Sequence, residues 1–288
     1  MNTTYAPHPV KRQRRTQAEL AALDEAILTA CRLENPLTVR SCFYRVVSAG
    51  GVEKTERGYA VVQRRLLKLR QEGRVPYTWV TDAGRALSYP LAYHSLADRL
   101  NGIVQSYRRD LWDFQQTAVI ALVEKDGLLG VVDPVADEYG VPLGATKGYA
   151  SESFNWEVAD RIKRFGRRQV HVFNIGDHDP SGVNAWESFC AKTRDFAPQA
   201  DIVFQRIAVT PEQIEQYGLL TRPTKKTDSR AKAFEGESVE ADALSPSDLR
   251  GILRTAIESV IDHDKVAEAL AIEQAEKLQL QTLIEGAE

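Results

Sequence analysis

Three carboxylates follow apolar runs that have the pattern of buried strands. Glu124 comes directly after TAVIALV, and Asp177 and Asp179 follow QVHVFNI in the segment GDHDPSG. In open α/β sheets the carboxyl ends of parallel strands border one crevice, so we expect the three acids to converge there. Carboxylates without accompanying histidine or cysteine ligands suit a hard cation such as Mg²⁺, or Mn²⁺, with a substrate phosphate completing the coordination. The pattern therefore predicts a metal site that handles phosphate.

A plainer interpretation exists for each acid. A single acid at a strand end is more often a turn or helix-capping residue than a ligand. The closely spaced Asp177 and Asp179 favour a site, because glycines and a proline around them predict a tight turn that brings backbone close to a ligand. His178 lies between the two aspartates, where a histidine is more often structural than catalytic.

A tyrosine and an arginine form a second candidate group. The break at Asn35-Pro36, the capping residue Thr38 and the apolar spacing of TVRSCFYRVV predict a short helix that stops before Gly50. Arg40 and Tyr44 are four residues apart and should share a face of this helix. The plainer interpretation of Tyr44 is a buried helix tyrosine with a hydrogen-bonded hydroxyl.

A basic helix is expected next, from about Thr55 to Glu72. Its apolar residues recur at helical spacing, and VPYTWVTD after it could supply the strands of a wing. Three helices and a hairpin would make a winged-helix domain whose third helix contacts DNA. The alternative is an ordinary helical unit whose arginines only face solvent. The candidate DNA-binding residues are Arg57, Arg64, Arg65 and Lys68, with Lys147 later in the chain.

The rest of the chain divides into further units. Alternating apolar runs and amphipathic segments from residue 117 predict β-α-β-α-β-α-β and a parallel sheet covered by helices. We expect a basic flexible arm at 1–15, a winged-helix domain at 16–90, a helical connector at 91–116, a metal-binding α/β domain at 117–212, and a C-terminal loop and helices at 213–288. Glu240 and Asp242, in SVEADAL, are expected on a helix surface, and a place near the acidic site is the alternative.

Composition narrows the class of protein. The 288 residues are 43% hydrophobic and 27% charged with a formal net charge of −3, which is typical of a folded protein and neutral with respect to DNA binding. The sequence lacks a secretory signal and a run of apolar residues long enough to span a membrane, which predicts a cytoplasmic protein. Cys31, Cys42 and Cys190 lack metal-type spacing and are expected to be reduced thiols.

The acidic segments resemble those of a known fold. VEKDG and GDHDPSG, whose acids Glu124 and Asp177 are 53 residues apart, resemble the two acidic motifs of a Toprim domain, the metal-binding fold of topoisomerases, primases and some nucleases. With TVRSCFYRVV before it, the chain resembles the A subunit of topoisomerase VI and the related meiotic break-forming transesterase. It is most similar to the compact stand-alone forms called Mini-A, of bacterial mobile elements and phages. KGYA, with Lys147, also resembles a lysine-glycine segment of the family.

This resemblance implies an activity. Tyr44 would be the nucleophile of a Mg²⁺-dependent reaction that cuts double-stranded DNA and leaves protein on the 5′ ends, in a homodimer located with the nucleoid. The arginine lies four residues before the tyrosine rather than the three of the family, so Arg45 or Arg64 could replace Arg40. No GxxxxGK[ST] loop occurs, so ATP-driven strand passage would need a partner ATPase. A hydrolytic Toprim nuclease and a non-catalytic winged-helix DNA-binding protein are the alternatives.

Overall fold

The computed structural model describes residues 15–81, 90–223 and 237–285. The strands within these ranges are β1 Thr117–Val123, β2 Leu143–Ala145, β3 Gln169–Ile175 and β4 Ile202–Ala208. The helices are α1 Gln17–Glu34, α2 Val39–Ser48, α3 Glu56–Gln71, α4 Leu96–Ser106, α5 Asp126–Glu138, α6 Glu152–Arg164, α7 Pro180–Phe196, α8 Pro211–Gln216, α9 Pro246–Glu258 and α10 His263–Glu285. No helix in these ranges combines the length and apolarity that crossing a bilayer requires.

The four strands form one sheet, and every pairing in it is parallel. The order is β2-β1-β3-β4, with helices on both faces, which confirms the predicted α/β class. Successive side chains of β1 alternate between two cores because a strand has a period of two. Ala118, Ile120 and Leu122 pack with α6 and α7, whereas Val119, Ala121 and Val123 belong to the core that contains α5 and α9. Burial on both faces explains why β1 is apolar throughout.

The N-terminal helices extend the second of these cores. Leu23 and Ile27 of α1, Val46 of α2 and Leu66 of α3 are buried in the same cluster as α5 and α9. As predicted, Thr38 caps α2, and its hydroxyl accepts a hydrogen bond from the Ser41 backbone N–H. The start of α2 also lies against the start of α5, since a Cβ on Gly127 would come within 3.3 Å of the Thr38 methyl carbon. The N-terminal helices are therefore packed directly on the α/β unit.

Two predicted elements differ from the structure. The stretch expected to form wing strands contains a short 3₁₀ helix, Tyr77–Trp79, and Val80 makes only an isolated parallel bridge with Leu37. The predicted helical connector, 91–116, is helical only over α4. After Tyr107 the chain is irregular until it enters the sheet at Thr117. Residues 1–14 of the predicted arm, 82–89 of the predicted wing and 224–236 of the predicted polar loop lie outside the described residues.

Candidate functional site

The ends of β1 and β3 bring two of the predicted acids together. Val123 lies opposite Ile175 in the parallel register, so Glu124 and Asp177 leave the sheet at the same edge. The backbone N–H of Asp177 donates a hydrogen bond of 2.8 Å to Oε2 of Glu124. We call this region, comprising Glu124, Asp177 and Asp179, the acid edge.

Glycines allow the close packing of this edge. A Cβ on Gly176 would lie 2.9 Å from Oε2 of Glu124, and a Cβ on Gly182 would lie 2.6 Å from the carbonyl oxygen of Asp177. Both separations are too short for ordinary contacts, so a larger residue at either position would displace an acid. The glycines at 176 and 182 therefore allow the close backbone packing that the sequence predicted here.

Asp179 has the capping role that the plainer interpretation assigned to it. Its Oδ1 accepts hydrogen bonds from the Ser181 hydroxyl at 2.7 Å and from the Gly182 N–H at 2.8 Å, at the start of α7. Its Oδ2 lies 3.7 Å from a guanidinium nitrogen of Arg222. Oδ1 of Asp179 therefore caps α7, whereas Oδ2 faces the guanidinium group of Arg222.

The acid edge concentrates negative charge in a buried place. Burial raises the pKa of Glu124, and the neighbouring charge of Asp177 raises it further. Burial also raises the pKa of Asp177, which is 6% exposed, and Lys125 opposes that shift. Oδ2 of Asp177 lies 2.9 Å from the ammonium nitrogen of Lys125, and its Oδ1 accepts from the Ala241 N–H at 2.9 Å. A nearby cation therefore already balances part of the charge.

The donor chemistry of the acid edge fits Mg²⁺. Its side chains are carboxylates, the ligands a hard cation prefers, and burial raises the pKa of Glu124 and of Asp177, a shift that a bound cation would oppose. In this arrangement no three His, Cys, Asp or Glu side chains of the described ranges are grouped to hold a metal, and Asp177 is paired with Lys125. Bound Mg²⁺ would be held by Glu124, Asp177 and Asp179 and would supply positive charge to a phosphate.

An unpredicted segment crosses the acid edge. We call residues 237–245 the bridging segment. Val239 pairs with His178 in an antiparallel bridge, and Ser238 pairs with Arg222 in another. Glu240 and Asp242 of this segment are 7% and 4% exposed, so the expectation that they lie on a helix surface is wrong. The alternation of acids with Val239 and small apolar residues in SVEADAL is the sequence feature that could have indicated a buried segment, which contains a short 3₁₀ helix at Ala241–Ala243.

Three cations converge on the carboxylate of Glu240. A guanidinium nitrogen of Arg40 lies 3.0 Å from it, one of Arg222 lies 3.0 Å away, and the ammonium of Lys125 lies 3.6 Å away. Lys125 also lies 3.2 Å from Asp242, whose other oxygen accepts a 2.7 Å hydrogen bond from the Thr38 hydroxyl. We call this group the charged junction, formed by Arg40, Lys125, Asp177, Arg222, Glu240 and Asp242.

Tyr44 is coupled to the charged junction. It is 4% exposed on α2, its ring packs against Phe43, and the Lys54 ammonium lies 5.4 Å from the ring centroid. Burial raises the pKa of Tyr44 to about 12, Glu240 raises it too, and Arg40 and Lys125 are among the cations that lower it. The structure thus brings the predicted Arg40 and Tyr44 into electrostatic contact with each other and with Glu240 of the charged junction. Arg45 and Arg64, the alternatives to Arg40, have other positions. Arg45 donates a hydrogen bond to the carbonyl of Ala243, and Arg64 lies on α3.

The predicted DNA-binding cations have different surroundings. Arg57 and Arg64 are exposed and line a surface cavity of about 690 Å³ together with Arg15. Arg65 is instead paired with Asp24 of α1, through two nitrogens of its guanidinium. Lys68 lies 3.6 Å from Glu72, and Lys147 lies 3.0 Å from Asp126 in the loop after β2. Arg57, Arg64, Lys68 and Lys147 are all exposed, and of these Arg57 and Arg64 line the cavity.

Arg206 of β4 is a cation at the acid edge that the sequence did not indicate. One of its guanidinium nitrogens donates to the carbonyl of Asp177, while its Nε and Nη1 are buried without a hydrogen-bond partner. Burial lowers its pKa, and the charges of Glu124, Asp177 and Asp179 oppose that shift. Arg206 therefore adds a fixed positive charge behind the three acids.

Comparison of the chain with protein-family models, curated proteins and solved structures found no match. The function therefore has to be inferred from the residues and their geometry. The features that carry such an inference are the acid edge, the charged junction beside it, and a tyrosine coupled to the junction.

Proposed function

We propose that this chain cleaves double-stranded DNA in a Mg²⁺-dependent transesterification with Tyr44 as the nucleophile. One observation carries the proposal: the helix that bears Tyr44 is joined to the acid edge through a continuous series of ion pairs. Arg40 of α2 contacts Glu240, Glu240 contacts Lys125, and Lys125 contacts Asp177. This series links the helix of the proposed nucleophile to the proposed metal ligands through cations. The resemblance to Toprim and winged-helix proteins supports the same activity and remains part of the proposal.

Tyr44 is the group of the protein that forms a covalent bond in the proposed reaction. The Tyr44 oxygen attacks a DNA phosphorus, the phenolic proton passes to water, and the bond to the 3′ oxygen breaks. The 5′ phosphate stays on the tyrosine, and the departing 3′ oxygen takes up a proton. Arg40 and Lys125 neutralise charge on the phosphate and also lower the pKa of Tyr44 from the value that burial imposes. Attack of the 3′ hydroxyl on the phosphotyrosine reverses the cut.

Cutting both strands requires two tyrosines, so the proposed active form is a homodimer on DNA, within the nucleoid. ATP-driven strand passage would require a separate ATPase chain. The proposed products are therefore double-strand breaks that carry one chain on each 5′ end, and rejoined DNA.

A hydrolytic nuclease is the second candidate, and one observation favours it. Tyr44 is 4% exposed and its pKa is raised to about 12, so the phenol is protonated at neutral pH in this arrangement. In that mechanism water attacks the phosphate at the acid edge and Tyr44 only packs. A non-catalytic DNA-binding protein is the third candidate, favoured by the engagement of Asp177 with Lys125.

Supercoiled plasmid distinguishes these candidates. The purified chain is incubated with plasmid and Mg²⁺, quenched with SDS, and the products are separated with and without protease. Wild-type protein should give linear DNA that enters the gel freely only after protease treatment. Tyr44→Phe should give none, whereas the matched control Tyr59→Phe, on the neighbouring helix α3, should cut normally.

Protein-free ends that persist in Tyr44→Phe would support the hydrolytic nuclease and contradict the tyrosine mechanism. Intact plasmid under all conditions, with DNA still bound, would support the non-catalytic protein. Each candidate therefore gives its own pattern on one gel.

A further inference from the structure

The carboxylate of Glu240 has the surroundings of a bound anion. Guanidinium nitrogens of Arg40 and Arg222 each approach it to 3.0 Å, and Lys125 approaches to 3.6 Å. These three cations come from α2, from the β1–α5 connection and from the segment before residue 223, so the fold assembles them from distant parts of the chain. Guanidinium groups bind carboxylate and phosphate in the same geometry. The same cations could accept a phosphate.

The cations of this group are open to solvent, but the carboxylate is not. The side chain of Glu240 is 8% exposed, whereas those of Arg40 and Arg222 are 37% and 46% exposed. An anion arriving from outside therefore meets the arginines before it meets the glutamate. Like charges repel, so such an anion would compete with the glutamate for the same cations.

The charge balance suits an exchange of one anion for another. The acid edge and charged junction together contain four cations, Arg40, Lys125, Arg206 and Arg222, and five carboxylates, Glu124, Asp177, Asp179, Glu240 and Asp242. A phosphodiester carries one negative charge, as a carboxylate does. Replacing the Glu240 carboxylate by one DNA phosphate therefore leaves the net charge around these cations unchanged.

The backbone allows this exchange without unfolding the bridging segment. Val239 is held by both hydrogen bonds to His178, the Ala241 N–H donates to Asp177, and the carbonyl of Ala243 accepts from Arg45. These anchors lie on both sides of Glu240 and do not involve its side chain. A change of side-chain rotamer is sufficient to withdraw the carboxylate from the cations.

We propose that Arg40, Lys125 and Arg222 form a binding site for a DNA phosphodiester, and that Glu240 occupies this site until DNA displaces it. The inference rests on the proposed function in that it takes DNA to be the substrate. It adds that Glu240 is an internal competitor of the substrate beside Tyr44. Removal of the competitor raises the fraction of chains ready to bind.

The test measures DNA affinity without cleavage. The full chain is titrated onto a fluorescent DNA duplex in EDTA, over a series of salt concentrations, and anisotropy is recorded. Glu240→Gln should bind on the order of tenfold more tightly than wild type. The slope of log affinity against log salt should be steeper by about one, because one more phosphate is neutralised.

Two variants serve as matched controls. Glu237→Gln removes the same charge from the same segment, at a carboxylate that accepts a hydrogen bond from the Thr221 hydroxyl, and it leaves Glu240 on its three cations, so its affinity should stay close to that of wild type. Glu240→Asp keeps the charge but shortens the side chain, so it should tighten binding by less than Glu240→Gln. In Glu240→Gln with Arg222→Gln the gain in affinity should be lost. Thermal melting of each variant identifies any that fail to fold. If Glu240→Gln does not fold, the DNA affinity of Glu240→Asp tests the inference instead.

Unchanged or weaker binding by folded Glu240→Gln and Glu240→Asp, with wild type binding DNA, would overturn this inference and leave the proposed function standing. An equal gain in Glu237→Gln would also overturn it, since the effect would be one of net charge. A wild-type chain that binds no DNA at any salt concentration would overturn the proposed function and this inference together.

Discussion

The charged junction and the basic face of α3 use cations in different ways. In the junction, Arg40 and Lys125 are held by buried carboxylates that come from distant parts of the sequence. On α3, Arg57 and Arg64 are exposed along a surface cavity. Cations held in place can neutralise charge at one atom, whereas exposed cations attract any nearby phosphate and are screened by salt. The difference suggests that chemistry belongs to the junction and general DNA affinity to α3.

The sharpest way to break this comparison is Glu124→Gln, at the acid edge. We expect DNA cleavage to fall by about a thousandfold, because the loss of a metal ligand removes several kcal/mol of charge stabilisation. DNA affinity in EDTA should stay close to that of wild type. Cleavage of a labelled duplex at increasing Mg²⁺ measures the loss, and Glu138→Gln on α5 is the matched control. Normal cleavage by Glu124→Gln would remove the acid edge from the mechanism.

The same substitution should stabilise the metal-free protein. The folded-state pKa of Glu124 is raised, so the folded chain binds its proton more tightly than the unfolded chain does. Stability that this group lends at low pH is therefore lost as pH rises above its ordinary pKa of 4.5 and through the raised value. We expect Glu124→Gln to raise the Tm at neutral pH by about 2–4 °C without metal. Mg²⁺ should raise the Tm of wild type but not of the variant.

Arg40→Gln tests whether the junction acts in the chemistry. Arg40 contacts Glu240 and also lies over the ring of Tyr59, with its guanidinium carbon 5.0 Å from the ring centroid. We expect cleavage by the variant to fall by about a hundredfold, the usual effect of losing one charge-stabilising donor. Arg57→Gln makes the same chemical change on α3 and should cut at nearly the wild-type rate under saturating DNA. Equal losses in the two variants would abolish the distinction between junction and α3.

Arg57→Gln and Arg64→Gln should instead weaken DNA binding. We expect each variant to lose affinity by about 3- to 10-fold, and the salt slope to fall by about one, because each change removes one phosphate contact. The loss should be the same for duplexes of different sequence. Anisotropy titrations over a series of salt concentrations measure both quantities. Unaltered affinity in the double variant would mean that α3 does not face DNA.

Arg65→Gln should have the smallest effect on DNA. Its guanidinium is paired with Asp24, which is 7% exposed, so it holds α3 to α1 and does not reach outward. We expect DNA affinity to change by less than about twofold and the Tm to fall by about 2–6 °C. Parallel binding and melting curves check this. A large loss of DNA affinity with unchanged Tm would restore Arg65 to the DNA-binding face.

The sequence predicted the elements better than the site. Apolar runs and helical spacing gave the four strands and the major helices, because each is defined by neighbouring residues. Predicting that Glu124 and Asp177 meet required only that parallel strands end at one edge. The bridging segment could not be placed in this way, because Glu240 contacts Arg40 across 200 positions. Local patterns also could not show that Arg65 would pair with Asp24, since the pattern of α3 does not reveal which residue of α1 lies beside each arginine.

The most direct test of the central claim is to identify the residue that carries DNA. Complexes formed with Mg²⁺ and trapped with SDS are digested with nuclease and trypsin, and the peptides are analysed by mass spectrometry. The account predicts a nucleotide attached through phosphate to the tyrosine of the peptide SCFYR, residues 41–45. A nucleotide on any other residue, or cleaved DNA with no modified peptide, would contradict it.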